Sequence, residues 1–228
     1  MTAVITGAGR GIGRAVAARL RPRHELLLVD LDPYVEEVAR DLGGQAVVGD
    51  VTEPEVRARI ADAAGAVDVL VNNAGITRDA RIVKMEEAAF LAVIRVNLGA
   101  AYALTTALTD RFTDGASVVS LASRAYLGNF GQFNYSASKG GLVGMTRALA
   151  LQLAPRVRVN AIAPSLTASE MTRAMPEKVL DKMIASIPLG RMAEPEEIAE
   201  TVAALASPAT AYVTGQVVVA CGGRSLAP

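Results

Sequence analysis

Short, continuous apolar runs alternate with segments of helical periodicity along all 228 residues of this chain. Residues 3–6, 25–29, 45–48, 67–71, 118–121, 157–161 and 217–220 read as buried strands, each too short for a helix and rich in Val, Ile, Leu and Ala. Helical stretches lie between them. One opens at Gly11 with Ile12, Val16 and Leu20 on a single stripe, and others run from Pro33 to about Leu42, onward from Pro54, over 86–110, through Tyr135 to Pro155, over 164–188 and over 196–206. Strand and helix in strict alternation demand right-handed crossovers and a parallel sheet covered on both faces. The expected fold is therefore α/β: a single doubly wound Rossmann domain spanning residues 1–228, with a seven-stranded parallel sheet and helices on both faces. No linker, repeat or low-complexity segment interrupts it.

Composition works mainly by exclusion. Lys+Arg and Asp+Glu number 23 each, so no net charge draws the chain to nucleic acid or to an anionic membrane, and neither partner is expected. His24 is the only histidine and Cys221 the only cysteine, which rules out a His/Cys zinc cluster, and no metal site is expected. A Ser-His-Asp hydrolase would have to recruit His24, far in sequence from any serine in a nucleophile-elbow pattern. His24 is expected at the surface and Cys221 as a small hydrophobe near the last strand. A single cysteine suits a reducing compartment. No apolar run approaches the about 18 residues that span a bilayer, and the first strand begins with no preceding h-region. The expected location is cytoplasmic.

The first strand runs into Thr6-Gly7-Ala8-Gly9-Arg10-Gly11-Ile12-Gly13, which opens a helix. Gly7, Gly11 and Gly13 allow a tight turn whose backbone approaches a pyrophosphate, and the helix N-terminus supplies N–H donors and positive dipole. Asp30 follows Gly13 by 17 residues at the end of the second strand, the place for a carboxylate that accepts from ribose hydroxyls. Gly7, Gly9, Arg10, Gly11, Ile12, Gly13 and Asp30 are thus the candidate dinucleotide residues.

Tyr135 and Lys139 stand at i, i+4 on one helix face. A neighbouring ammonium favours phenolate, so the tyrosine is expected to titrate below its ordinary value and to serve as general acid or base. Ser123 emerges just past the fifth strand, where ligands bind in open α/β sheets, and its hydroxyl suits a substrate oxygen that develops alkoxide charge. Ser120 is the alternative hydroxyl, but it falls inside the strand pattern.

These segments together, T-G-x-x-x-G-x-G, Asn72-Asn73-Ala74-Gly75, Asn97, Ser123 and Tyr135-x-x-x-Lys139, resemble the short-chain dehydrogenase/reductase family over nearly the whole chain. The resemblance implies that Asp50 and Val51 meet the adenine edge, that Asn73, Ala74 and Gly75 lie by the adenosine ribose, and that Lys139 holds the nicotinamide ribose. It implies that Asn97 positions a water linking Lys139 to solvent. Near the nicotinamide it points to Pro164, Thr167 and Ser169, although Ser165 stands where the family commonly has Gly and Ser169 where it has Thr. Ser123 also precedes Tyr135 by 12 residues, one fewer than is common in the family.

The nearest subgroup is the 3-oxoacyl-[acyl-carrier-protein] reductases, on the phrases Asn72-Asn73-Ala74-Gly75-Ile76-Thr77-Arg78-Asp79, Gly128-Asn129-Phe130-Gly131-Gln132 and Ile187-Pro188-Leu189-Gly190-Arg191. That resemblance implies reduction of a 3-oxoacyl thioester, small-molecule or carrier-bound. Arg156 and Arg158 are candidate contacts to an acidic carrier, or basic residues near a helix end that simply complement its dipole. Another ketone or secondary alcohol, or a non-catalytic dinucleotide sensor, stays open. Asp30 and Asp32 oppose a 2′-phosphate and Arg10 favours one, so NAD(H) is expected over NADP(H), with Arg10 free to pair with either carboxylate. Gly140, Gly144 and Ala148 repeat at i, i+4, i+8, a smooth helix face that serves either packing on the chain's own sheet or, as the resemblance implies, a homodimer, doubled to a homotetramer through residues 217–223.

Overall fold

The computed structural model describes residues 1–169, 172 and 175–226. Among them, seven strands form one parallel sheet: β1 (Thr2–Thr6), β2 (Glu25–Asp30), β3 (Gln45–Val48), β4 (Val67–Asn72), β5 (Phe112–Leu121), β6 (Val157–Pro164) and β7 (Val217–Ala220), in the order β3-β2-β1-β4-β5-β6-β7. The chain runs outward from β1 through β2 to β3, then returns to place β4 on the other side of β1. The loops after β1 and β4 therefore flank the point where the winding reverses, the crevice that such sheets use for ligands.

Side-chain alternation along the strands splits the interior into two layers. Ala3 and Ile5 of β1 and Leu26 and Leu28 of β2 face one layer with Val16 and Leu20 of α1 (Gly11–Leu20), Val38 of α2 (Val35–Leu42) and Val202 of a later helix. Val4, Leu27 and Val29 face the other, with Ile60 of α3 (Pro54–Ala64). Each such fully buried side chain contributes about 1.5–3 kcal/mol relative to exposure. Local chemistry sets the ends: Gly43 takes the left-handed conformation that closes α2, Pro54 occupies the first turn of α3, and Gly65 ends it at positive φ.

The long helical stretch expected over 86–110 is present but not uniform. It consists of α4 (Glu87–Ile94), a π turn (Arg95–Gly99) and α5 (Ala100–Ala107). The wider turn contains Asn97, and such turns recur at functional sites. Glu87–Ala107 is also long and apolar enough, by length and composition, to cross a membrane, which corrects the expectation that nothing in the chain is. Glu87, Arg95 and Asn97 break the run of apolar letters without lowering its average enough to matter. Within it Val93, Ala100 and Leu104 are buried, while Leu91 and Tyr102 are exposed.

α6 (Phe133–Leu153) carries Tyr135 and Lys139. Of the helix expected over 164–188, Pro164 instead ends β6 opposite Ala220, Thr167 bridges to Ala193, and α7 (Glu177–Ala185) is the helical part. Residues 170, 171, 173 and 174 of that stretch lie outside the described residues. α8 (Pro195–Ala206) starts with a reciprocal capping box between Glu194 and Glu197. His24 is not a surface residue as expected. It is half-buried, with Nδ1 3.5 Å from Asp68 Oδ2, and burial holds it below its ordinary pKa against the pull of that carboxylate. Cys221 is buried just after β7.

Candidate active site

Close backbone approach dictates the glycine loop. A Cβ on Gly13 would lie 2.0 Å from the Gly7 carbonyl oxygen, and Gly7 itself has φ +64°. Asn73 stitches the loop to the end of β4: its Nδ2 donates to the carbonyls of Thr6 and Gly7, each at 2.9 Å, while its own N–H and that of Ala74 reach Thr6 Oγ1 at 3.0 Å. Asn73 and Ala74 thus brace the turn from behind. Gly9 donates its N–H to Asp30 Oδ2 at 2.8 Å, and Asp32 donates to Oδ1 at 3.0 Å. The carboxylate is fixed at the tip of β2. Arg10 is exposed and, among the described residues, forms no ion pair with Asp30 or Asp32, so the pairing entertained from sequence is not made.

Ser123 caps the short turn after β5, its Oγ accepting from the Ala125 N–H at 3.1 Å. Tyr135 lies in the first turn of α6 and Lys139 one turn on, with Nζ 5.6 Å from the phenol ring centroid. Lys139 is 3% exposed and donates to the Leu121 carbonyl at 2.5 Å. Burial pulls the ammonium down to about 8. The phenol differs from expectation: burial pushes Tyr135 above its ordinary value, the Ser123 hydroxyl pulls it back, and Asp79 adds to the rise. Desolvation of the phenolate is the largest influence on this group.

The Asn97 side chain is bonded to protein on both sides of its amide. Its Oδ1 accepts from the Ile76 N–H at 2.8 Å, and its Nδ2 donates to the Ile76 carbonyl and to Ser138 Oγ, both at 3.0 Å. The side-chain amide is occupied by protein, holding the segment after β4 against α6. A Cβ on Gly75 would stand 3.2 Å from Asn97 Oδ1 and 3.5 Å from Lys139 Nζ, so a larger residue there would crowd both.

One cavity of about 600 Å³ brings together Arg10, Gly11 and Ile12 from the glycine loop, Asn73 and Gly75 from the β4 end, and Ser123, Tyr135 and Lys139. Pro164, Thr167 and Ser169 line its far wall. Gly7, Gly9, Gly13, Asp30, Ala74 and Asn97 stand behind or beside that lining. Asp50 and Val51 lie outside that lining, as Asp30 does: Asp50 Oδ1 accepts from Thr52 N–H at 2.8 Å, and the Val51 side chain belongs to the buried layer with Val56 and Ile60. The Ser169 hydroxyl is engaged with Thr172, whose N–H donates to it at 3.1 Å. Ile76, Thr77, Arg78 and Thr172 also line the cavity and were not singled out as site residues. The first three lie in the quoted Asn72-to-Asp79 phrase, whose position after β4 was their only signal.

A second cavity, of about 650 Å³, opens at the opposite edge of the sheet beside His24, Asp68 and Arg158 and contains none of the candidate catalytic groups. Chemistry, not size, separates the two. Arg158 does not present itself to a carrier protein: its guanidinium donates to the carbonyls of Leu205, Ala206 and Ser207 at the end of α8. Arg156 donates to the Thr109 carbonyl at 2.6 Å. Both sit at the N-terminal edge of the strands, across the sheet from Tyr135.

A family model described as enoyl-(acyl carrier protein) reductase matches residues 7–225. The chain is 40% identical to the 3-oxoacyl-[acyl-carrier-protein] reductase FabG of Thermotoga maritima over 96% of each chain. It is 36% identical to the (2S)-[(R)-hydroxy(phenyl)methyl]succinyl-CoA dehydrogenase subunit BbsD of Thauera aromatica, over 98% of this chain and 96% of that one. Among solved structures, a short-chain dehydrogenase/reductase of Brucella melitensis described as glucose/ribitol dehydrogenase superposes with a TM-score of 0.92 at 34% identity, covering 98% of this chain and 96% of its own. Likeness of this extent, in sequence and in fold alike, means that the chain belongs to the short-chain dehydrogenase/reductase family.

Proposed function

We propose that this protein is a nicotinamide-dependent oxidoreductase that reduces a 3-oxoacyl thioester to the 3-hydroxyacyl thioester. The observation that carries the reading is the convergence of Ser123, Tyr135 and Lys139 in one cavity with the glycine loop. The loop fits a dinucleotide: Gly13 leaves room only for backbone against Gly7, and Asp30 stands fixed beside Gly9. Gly7 to Gly13 would hold the pyrophosphate, Asp30 the adenosine ribose, Lys139 the second ribose, and Pro164, Thr167 and Ser169 the carboxamide end. When bound, the dinucleotide supplies the hydride.

The chain's own residues do the rest. Ser123 Oγ donates to the ketone oxygen and stabilises charge as it develops there. Tyr135 Oη–H gives its proton to that oxygen: the phenol O–H bond breaks as the product O–H forms. A phenol raised by burial is a proton donor at neutral pH, which suits reduction. Lys139, charged below about pH 8, stabilises the phenolate left behind. Asn97, engaged with Ile76 and Ser138, keeps the wall beside Lys139 in place.

The relatives' names favour a ketone on a thioester, and the family model's description names an enoyl group instead. Paired hydroxyls from Ser123 and Tyr135 match an oxygen acceptor, which a carbon–carbon double bond does not offer. Loss of NADH absorbance with an acetoacetyl thioester, and none with a crotonyl thioester, is the expected outcome. Binding of dinucleotide without turnover across a carbonyl and alcohol panel would favour a sensor instead.

For the dinucleotide, the fixed Asp30 carboxylate and Arg10, which forms no ion pair among the described residues, oppose each other. Asp30 is the better placed, held by two N–H groups at the strand tip, and supports NAD(H). Asp30→Ala should relax the preference toward NADP(H). A wild-type kcat/KM higher with NADPH than with NADH would give the pocket to Arg10.

Assembly follows from the helices. A Cβ on Gly140 or Gly144 would meet no atom within 4 Å, unlike Gly141, where it would strike Leu98 Cδ2 at 2.6 Å. Gly140 and Gly144 therefore do not serve packing within the chain, and exposed apolar groups lie on the same helix, Leu151, and on α4 and α5, Leu91 and Tyr102. These features support a helix-mediated homodimer, and the free edge of β7 supports its doubling to a homotetramer. Light scattering at micromolar concentration should give four times the chain mass. A monomer would remove the proposal.

A further inference from the structure

Tyr135 can reach a substrate oxygen only from where its backbone puts the phenol, and two fully buried side chains hold that backbone. The first turn of a helix leaves its N–H groups without intrahelical acceptors. Gln132, the cap residue of α6, makes no side-chain bond to them. Asn134 takes its place, its Oδ1 accepting the Tyr135 N–H at 2.7 Å. On the other side of the same residue, Ser138 Oγ donates to the Tyr135 carbonyl at 2.8 Å. Both backbone polar groups of Tyr135 are thus bonded to side chains, and Asn134 and Ser138 are each 0% exposed.

Each grip continues into the segment after β4. Asn134 Nδ2 donates to the Arg78 carbonyl at 2.8 Å. Ser138 Oγ accepts from Asn97 Nδ2 at 3.0 Å, and Asn97 in turn holds the N–H and the carbonyl of Ile76. Ile76 and Arg78 line the same cavity as Tyr135, whereas Asn134 and Ser138 stand behind its lining. Two routes therefore join the start of α6 to one cavity wall, and the phenol keeps a fixed place against that wall. An asparagine suits the first route because one amide is acceptor and donor at once. Buried as it is, the amide is tolerated because both of its ends are bonded.

We propose that Asn134 and Ser138 are positioning residues that set the Tyr135 phenol against the substrate oxygen, by fixing the backbone of Tyr135 at both its N–H and its carbonyl and tying it to the 76–78 wall. The inference rests on the reading of Tyr135 as the acid. Each side chain acts through Tyr135 and touches neither substrate nor dinucleotide. The effect is one of geometry, because a misplacement on the order of 1 Å can cost about 10²-fold in rate.

Asn134→Leu removes both bonds of the amide without adding a charge, and Ser138→Ala removes the hydroxyl that holds the carbonyl. Each should lower kcat for reduction of an acetoacetyl thioester by about 10–10²-fold, with NADH affinity unchanged. The solvent deuterium isotope effect on kcat/KM should rise in both, because proton transfer from a displaced phenol becomes the costlier part of the reaction. Mere loss of folded protein lowers the number of active sites and leaves that isotope effect at its wild-type value. A wild-type isotope effect in both variants overturns the inference, whatever happens to kcat, and in Ser138→Ala alone it does so if Asn134→Leu fails to fold. Tyr135→Phe separates this failure from that of the underlying reading. Turnover surviving there would overturn Tyr135 as the acid, whereas its loss beside an unmoved isotope effect would remove only the positioning role.

Discussion

Tyr135→Phe should lower kcat by about 10²–10⁴-fold, the range that a positioned acid or base contributes, while leaving dinucleotide affinity nearly intact. The change deletes one oxygen at the front of the cavity and leaves the helix, the ring and the fully buried Asn134 tie unchanged. Nothing in the glycine loop depends on that oxygen. Lys139→Met makes the contrast, because its ammonium is placed both to steady the phenolate and to hold a ribose. It should lose turnover and raise the dinucleotide KM together. The lysine is buried at 3% exposure with one backbone partner, so methionine fills its volume without stranding a charge. Steady-state kinetics with an acetoacetyl thioester, together with NADH titration of each variant, checks both. Equal loss of dinucleotide affinity in the two variants would contradict the division of labour.

What could be read from sequence was whatever local spacing and strand order determine. The i, i+4 pair of Tyr135 and Lys139 meets the cavity from one helix face, and the run from Gly7 to Gly13 forms the expected turn, because both are short-range geometry. The parallel sheet followed from alternation alone. Three things were not legible. The pKa of Tyr135 depends on how much water the fold removes, and burial reversed the direction that the lysine alone implied. Asn97 looked like one more residue on a regular helix. The π turn around it and its bonds to Ile76 and Ser138 arise from tertiary packing, and no periodicity encodes them. Arg158 read either as a carrier contact or as a complement to a helix end, but which helix end was hidden: that of α8 takes its guanidinium from 47 residues away in sequence.

Gly13→Ala is expected to be the most damaging single-carbon change in the protein. The added Cβ would fall 2.0 Å from the Gly7 carbonyl oxygen, 2.7 Å from Asn73 Nδ2 and 2.8 Å from the Gly7 carbonyl carbon. Two of these atoms are backbone in a turn that Asn73 holds through hydrogen bonds to Thr6 and Gly7, so neither can swing aside as a flexible side chain would. Either α1 moves off the end of β1 or the turn opens. Both outcomes displace the N–H groups that would face a pyrophosphate. Overpacking of this kind costs about 1–3 kcal/mol and sometimes more, and each kcal/mol lowers Tm by about 2–4 °C in a chain of this size. Dinucleotide affinity should fall with it, because the strained region is itself the binding surface. Gly11→Ala separates geometry from crowding: its φ is +53°, but a Cβ there would meet nothing within 4 Å. It should therefore cost only the about 1–2 kcal/mol of left-handed backbone, with a smaller loss of affinity. Thermal unfolding and NADH titration of the two variants give the ranking. Wild-type affinity in Gly13→Ala would show that the turn yields where the packing says it cannot.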